Sequence, residues 1–198
     1  MKNEINRIAD KLVKAFNTNT VINPIPVKYC KNINLANKLR KLCEDQIKDE
    51  TIGIKAGGTG IQALKKLKEK EPFTAKVFKK RLVKSGQNVK VNQHTKGIEV
   101  EVYYFIKKSF FNFKGKVTKS NVSKFIKFMG PCFEIVGFRQ RNKKFTYLGD
   151  ICGDFGFNIK FVVGRKTKFK KLNLNNLKTS LVSKKNEVKV NGNTNIVY

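Results

Sequence analysis

Ile5, Ile8, Ala9, Leu12, Val13 and Phe16 recur at three- and four-residue intervals between residues 4 and 17, with lysine and asparagine filling the other face. That spacing predicts an amphipathic helix. The following segment, NTNTVINPIPVKYC, is broken by Pro24 and Pro26 and reads as extended chain. A second helix is predicted from about Asn34, with Leu35, Leu39 and Leu42 as its stripe and the charged run EDQIKDE at its end. TIGIKAGGTG then reads as a short strand entering a glycine-rich turn, and IQALKKLKEKE as a helix stopped by Pro72.

From about Val89 the period changes to two. VKVNQ, IEVEVYYFI, CFEIVGF, IKFVVG, LKTSLVS and EVKVNG read as strands separated by Lys, Asn and Gly turns, with one helical stretch at about Ser120 to Phe128. The pattern predicts an α+β chain, with a helical N-terminal region over residues 1–50 and a largely β domain over 51–198. Neither an internal repeat nor a low-complexity tail is visible.

Composition sharpens this picture. The 198 residues carry 43 Lys plus Arg against 14 Asp plus Glu, a formal charge of +29, yet 40% are hydrophobic, enough to build a core rather than a disordered polycation. Only six of the basic residues are Arg and 37 are Lys, beside 21 Asn, 16 Phe and no Trp. Recognition of nucleic acid favours the arginine fork, so this balance reads as AT-rich codon usage and predicts no specific nucleic-acid partner. No run of about 18 apolar residues exists and the start lacks a signal-peptide core, so neither a membrane span nor secretion is expected and the default location is cytoplasmic. Cys30, Cys43, Cys132 and Cys152 form no CxxC pair and only His94 offers an imidazole, which argues against zinc. Buried free thiols and an exposed loop histidine are the expectation.

The acids stand out against the lysines. Beyond Pro72 there are six, Glu99, Glu101, Glu134, Asp150, Asp154 and Glu187, and seven lysines but no acid separate Glu101 from Glu134. In GIEVEVYYF, Glu99 and Glu101 leave the same face of a strand. Glu134 sits inside CFEIVGF among apolar neighbours. Carboxylates taken out of water need a cation, so three converging on one site would suit a hard divalent metal. Spacing alone favours Glu99 and Glu101 facing solvent and pairing with lysines, and it is the apolar setting of Glu134 that argues against a wholly solvated site.

Taken together, these segments resemble the 2-keto-4-pentenoate hydratase and 4-oxalocrotonate decarboxylase group, within the fumarylacetoacetase-type fold. IADKLVKAF and VINPIP look like the family's helical entry, GIKAGGTGIQ is similar to its glycine, lysine and threonine stretch, and GIEVEVYYFI to its E-x-E strand. GPCFEIVGFR resembles its third-glutamate segment, and GDICGDFGFNIKFVVG the region that follows. The resemblance implies a mixed β-roll or barrel of the fumarylacetoacetase C-terminal-domain type behind the helices. It also implies a cytoplasmic lyase, hydratase or decarboxylase, acting on a short unsaturated 2-oxo acid such as a 2-hydroxydienoate through a metal-stabilised enolate. Mg²⁺ or Mn²⁺ would be held by Glu99, Glu101 and Glu134, Lys55 would hold substrate charge or relay a proton, and Gly57, Gly58, Thr59 and Asp154 would contact substrate.

Departures from the family pattern accompany the matches. FTAKVFKKRL carries Lys79 and Lys80 in the neighbourhood where the family has an acid, and Phe155 and Phe157 follow the aspartate where the family has small residues. The chain also stops before the family's closing strands, which implies an open sheet edge and either a homo-oligomer or pairing with a related subunit. Two other readings follow: an accessory subunit with the fold but no turnover, and a general polyanion- or RNA-binding protein carried by the charge.

Overall fold

The computed structural model of the protein describes residues 2–91, 94–170, 178–182 and 187–191. Helix α1 (Lys2–Thr18) buries Ile5, Ala9, Leu12 and Phe16, the stripe its spacing predicts. It packs on α3 (Ile33–Gln46), whose first turn is capped by Asn32: the Asn32 side-chain oxygen accepts from the backbone N–H groups of Asn34 and Leu35 at 3.0 and 3.1 Å. Such a cap is worth about 1 kcal/mol. The proline-broken segment between them is extended up to Val27 and then makes a single turn of helix, α2 (Lys28–Lys31), not foreseen from its sequence. Ile22 bridges to residues 139–141, with Ile22 N–H donating to Arg139 O and Arg141 N–H to Ile22 O, both at 2.9 Å.

Strand β1 (Thr51–Gly57) pairs antiparallel with β2 (Phe73–Phe78), Lys55 opposite Ala75. Between them α4 (Ile61–Leu67) ends well before Pro72, because Lys68 turns left-handed at φ 58° and closes the helix. A larger mixed sheet follows the order β3 (Leu82–Lys84), β6 (Asn158–Val163), β5 (Ile126–Gly137), β4 (Thr95–Ile106), with β7 (Thr167–Lys168) also against β5. The pair β3 and β6 is parallel and the others are antiparallel. A short helix α5 (Leu148–Cys152) lies between β5 and β6, and a separate hairpin joins β8 (Lys178–Val182) to β9 (Glu187–Asn191).

Two hydrophobic clusters hold these elements together, and both join residues on either side of position 50. One gathers Leu12, Phe16, Leu39 and Cys43 with Phe78 and Phe155. The other sets Ala36 against Leu64, Phe73, Ala75, Leu148 and Cys152. Burying each large side chain here contributes about 1.5–3 kcal/mol. All four cysteines are buried free thiols, as expected.

Two expected elements differ, and a third lies partly outside the described residues. Residues 89–91 of VKVNQ are not in a strand, and Asn92 and Gln93 lie outside the described residues. The helix expected at about Ser120 to Phe128 is only a 3-10 turn, Val122–Phe125, before β5 begins at Ile126. Phe125 is drawn into ring contacts with Phe110 and Phe113, and its carbonyl accepts from Lys107 N–H at 2.7 Å, so the turn is pinned to the end of β4. LKTSLVS and EVKVNG form the β8 and β9 hairpin, apart from Leu177, Ser183 and Gly192, which lie outside the described residues.

Candidate metal centre

Alternation along β4 sends Glu99 and Glu101 to one face, and the antiparallel register places Glu134 of β5 directly opposite Glu99. One carboxylate oxygen from each of the three lies within 4.8 Å of the other two. The cluster grades inward from Glu99, exposed, through Glu101, half-buried, to Glu134, fully buried. In a chain with 37 lysines, no ion pair reaches Glu99 or Glu101 among the described residues. Glu99 does face solvent, but the lysine pairing of that alternative is not adopted among the described residues.

Among the described residues, Lys55 supplies the one cation paired with the cluster. Its Nζ donates to both oxygens of Glu134, at 2.5 and 2.7 Å, and to the Gly156 carbonyl at 3.0 Å. Three carboxylates and one ammonium leave two negative charges, the complement of a divalent ion. Burial raises the Glu134 pKa to about 7 against the opposing pull of Lys55, with Glu101 and Glu99 adding to the rise. Burial also raises Glu101, again opposed by Lys55 and reinforced by Glu99. A hard cation would relieve both effects, and oxygen-only ligands suit Mg²⁺ or Ca²⁺ rather than zinc or copper. The donor set fits.

The Gly156 carbonyl is held by an unusual turn that sequence reasoning did not single out. Phe155, Gly156 and Phe157 have φ of 53°, 71° and 71°, three left-handed residues in succession. Such conformations are costly for phenylalanine and persist only when packing dictates them. Phe155 is buried at 4.4 Å from the Phe16 ring, and Phe157 lies 4.6 Å from Phe138. At Gly156 a Cβ would stand 2.7 Å from that of Ala75, so only glycine fits. The signal available was the pattern Asp-Phe-Gly-Phe, which by itself reads as the start of a strand.

The other expected site residues divide. Gly57 and Gly58 follow Lys55 at the end of β1, where a Cβ would meet Phe73 at 2.3 Å and Leu148 at 2.7 Å respectively, so packing alone accounts for both glycines. Thr59 is half-buried beside them, one position before Gly60, the N-cap of α4. Asp154 is put to structural use: it is fully buried and accepts from Arg139 N–H at 2.8 Å, Arg139 Nη1 at 3.2 Å and Gln140 Nε2 at 3.1 Å. Both of its oxygens accept from the chain's own donors, a structural use that the expectation of substrate contact did not include. His94 is also not an exposed loop residue: it is half-buried at a turn, and burial, Lys96 and Arg141 lower its pKa.

No family model and no curated protein matches the chain. Solved structures of 4-oxalocrotonate decarboxylase from Pseudomonas putida G7 do. With magnesium and adipate, the similarity has a TM-score of 0.68 at 15% identity, over 88% of this chain and 68% of that one. With calcium and acetate, the TM-score is 0.70 at 14% identity, over 88% and 67%. The chain has the fold of that decarboxylase. At this identity it is a likeness of fold.

Proposed function

We propose that the chain is a divalent-metal-dependent lyase of the hydratase and decarboxylase group, its sheet of the fumarylacetoacetase type, acting on a short unsaturated 2-oxo acid. The observation that carries this reading is the cluster of Glu99, Glu101 and Glu134, convergent, graded in burial and unpaired except at Lys55. Mg²⁺ or Mn²⁺ is the proposed ion, and bound there it supplies Lewis acidity toward the carboxylate and neighbouring oxo group of the substrate. Glu99 and Glu101 hold the ion from the open side and Glu134 from the buried side. Lys55, whose three ammonium protons go to Glu134 and Gly156, would release one of these contacts to hold substrate charge or to exchange a proton. Thr59 with Gly57 and Gly58 forms the adjoining lip.

The test is thermal unfolding with and without Mg²⁺ or Mn²⁺. At a concentration about 100-fold above Kd the ion stabilises by about 2.7 kcal/mol, and Glu99→Gln or Glu101→Gln abolishes that gain. Unchanged melting in saturating metal overturns the proposal. With metal loaded, consumption of a 2-hydroxydienoate without CO₂ release marks a hydratase, and CO₂ release from 4-oxalocrotonate marks a decarboxylase.

A second reading, an accessory subunit paired with a related chain, is favoured by one feature of the sheet. Ile98, Val100 and Phe133 share the face opposite the glutamates and are 46%, 38% and 40% exposed, an apolar surface that a second subunit would cover. Under that reading metal binds but no turnover occurs until the partner is added. No helix among the described residues is long and apolar enough to cross a membrane.

A further inference from the structure

We propose that the pocket bounded by the end of α1, the connection from α3 to β1, the turn after β2 and strand β6 is a binding site for a phosphate group, free or carried on a small organic molecule. Its volume is about 520 Å³, within the range of small-molecule sites, and it shares no residue with the carboxylate cluster. Arg81, Lys160, Lys80 and Lys48 line it, against a single acid, Asp49.

The acid offsets this charge only in part: it acts on Arg81 across the pocket but makes no ion pair with these cations among the described residues. Asp49 Oδ1 accepts from Glu50 N–H and Oδ2 from Lys80 N–H, both at 2.9 Å, so its carboxylate braces the backbone. No ion pair reaches Arg81 or Lys160 among the described residues. Lys160 Nζ donates to the Lys80 carbonyl at 2.8 Å. Arg81 stacks on Phe16 at 3.7 Å and donates through Nη2 to the Phe16 carbonyl, while its Nε is buried with no partner. A buried donor left unsatisfied costs about 1–3 kcal/mol. Burial lowers Arg81 to about 10, and burial with the repulsion of Arg81 lowers Lys160.

Part of this arrangement has a structural account. The last turn of α1 contains no basic residue, and Arg81 supplies one to its carbonyl end. That use explains Nη2 and the ring stacking, but not the convergence of Lys160, Lys80 and Lys48 on the same pocket. A tetrahedral dianion seated among them offsets the lysine charges and takes hydrogen bonds from their ammonium groups.

The test is calorimetric titration of the full chain, in EDTA and at constant ionic strength, with inorganic phosphate and with glycerol 3-phosphate. Binding is expected to weaken by about tenfold in Lys160→Gln and in Lys48→Gln, and to be unchanged in Glu99→Gln, which separates this site from the metal centre. Tighter binding of the ester assigns an organic phosphate, and equal binding assigns the free ion. If neither probe binds, or if both lysine variants bind as tightly as the native chain, the proposal is overturned.

Discussion

Replacing Lys55 by methionine removes the ammonium from both oxygens of Glu134 and leaves a fully buried carboxylate beside Glu99 and Glu101. Breaking a buried pair in this way costs about 3–5 kcal/mol when the survivor stays charged. Glu134 escapes by taking a proton. In the native chain burial already lifts its pKa from 4.5 to about 7, and loss of Lys55 lifts it further. Because the folded value exceeds the unfolded one, the contribution of neutral Glu134 is complete below pH 4.5 and is lost as pH rises through the folded pKa. Native and Lys55→Met curves therefore run close together at low pH, separated by about 1 kcal/mol for the lost hydrogen bonds. Above about pH 7 only the native chain releases the proton, and the gap widens by about 1.4 kcal/mol per pH unit. Near pH 8.5 it reaches about 3 kcal/mol, or about 6–12 °C in Tm for a chain of this length. Urea unfolding in EDTA measures the gap, and Lys55→Met/Glu134→Gln should remove its pH dependence. A penalty equal at both ends of the range, or one that Glu134→Gln fails to relieve, refutes the reasoning.

Three further outcomes follow from the same geometry. Mg²⁺ affinity, read by calorimetry, should fall by about tenfold per pH unit below about pH 7, because Glu134 must shed its proton to bind; a flat profile removes Glu134 from the ligand set. Gly156→Ala should destabilise by about 2 kcal/mol in urea unfolding, since the new Cβ meets Ala75 at 2.7 Å in a left-handed turn. Asp154→Asn should cost about 3 kcal/mol by breaking the buried pair with Arg139 while leaving Mg²⁺ affinity of the folded chain unchanged; lost affinity returns Asp154 to the site.

What was legible in the sequence was whatever repeats locally or contrasts with its surroundings. The stripe of α1 reads directly from the spacing of Ile5, Ala9, Leu12 and Phe16, and the three glutamates stand out because lysine is the default polar residue everywhere around them. Strand β2 was not legible: Pro72 before it and Lys79 and Lys80 after it leave only six residues, too short for a period to declare itself. Helix α5 is five residues long and is set by contact, with Gly149 pressed against the Cys30 carbonyl where a Cβ would come within 2.1 Å. The stretch GIKAGGTGIQ marked Lys55 out by its resemblance to the family, but its pairing with Glu134 spans 79 positions and no local pattern declares it. The pairing of Asp154 was illegible for another reason, since a buried acid beside glycines looks the same in sequence whether its partner is a substrate or Arg139.

The four free thiols give the molecule a set of internal clocks. Burial pushes Cys30 and Cys132 up to about 12, Cys152 to about 11, and Cys43 higher still, so none reacts as a thiolate while its surroundings stay closed. Cys30 and Cys43 sit in the cluster around α1 and α3, and Cys152 in the cluster beneath β2. Cys132 lies across the strand from Glu101, on the carboxylate face. Alkylation rates at the four positions thus time three separate openings. Slowing at Cys132 alone on addition of a divalent ion would reveal tightening at the carboxylates before any product is formed.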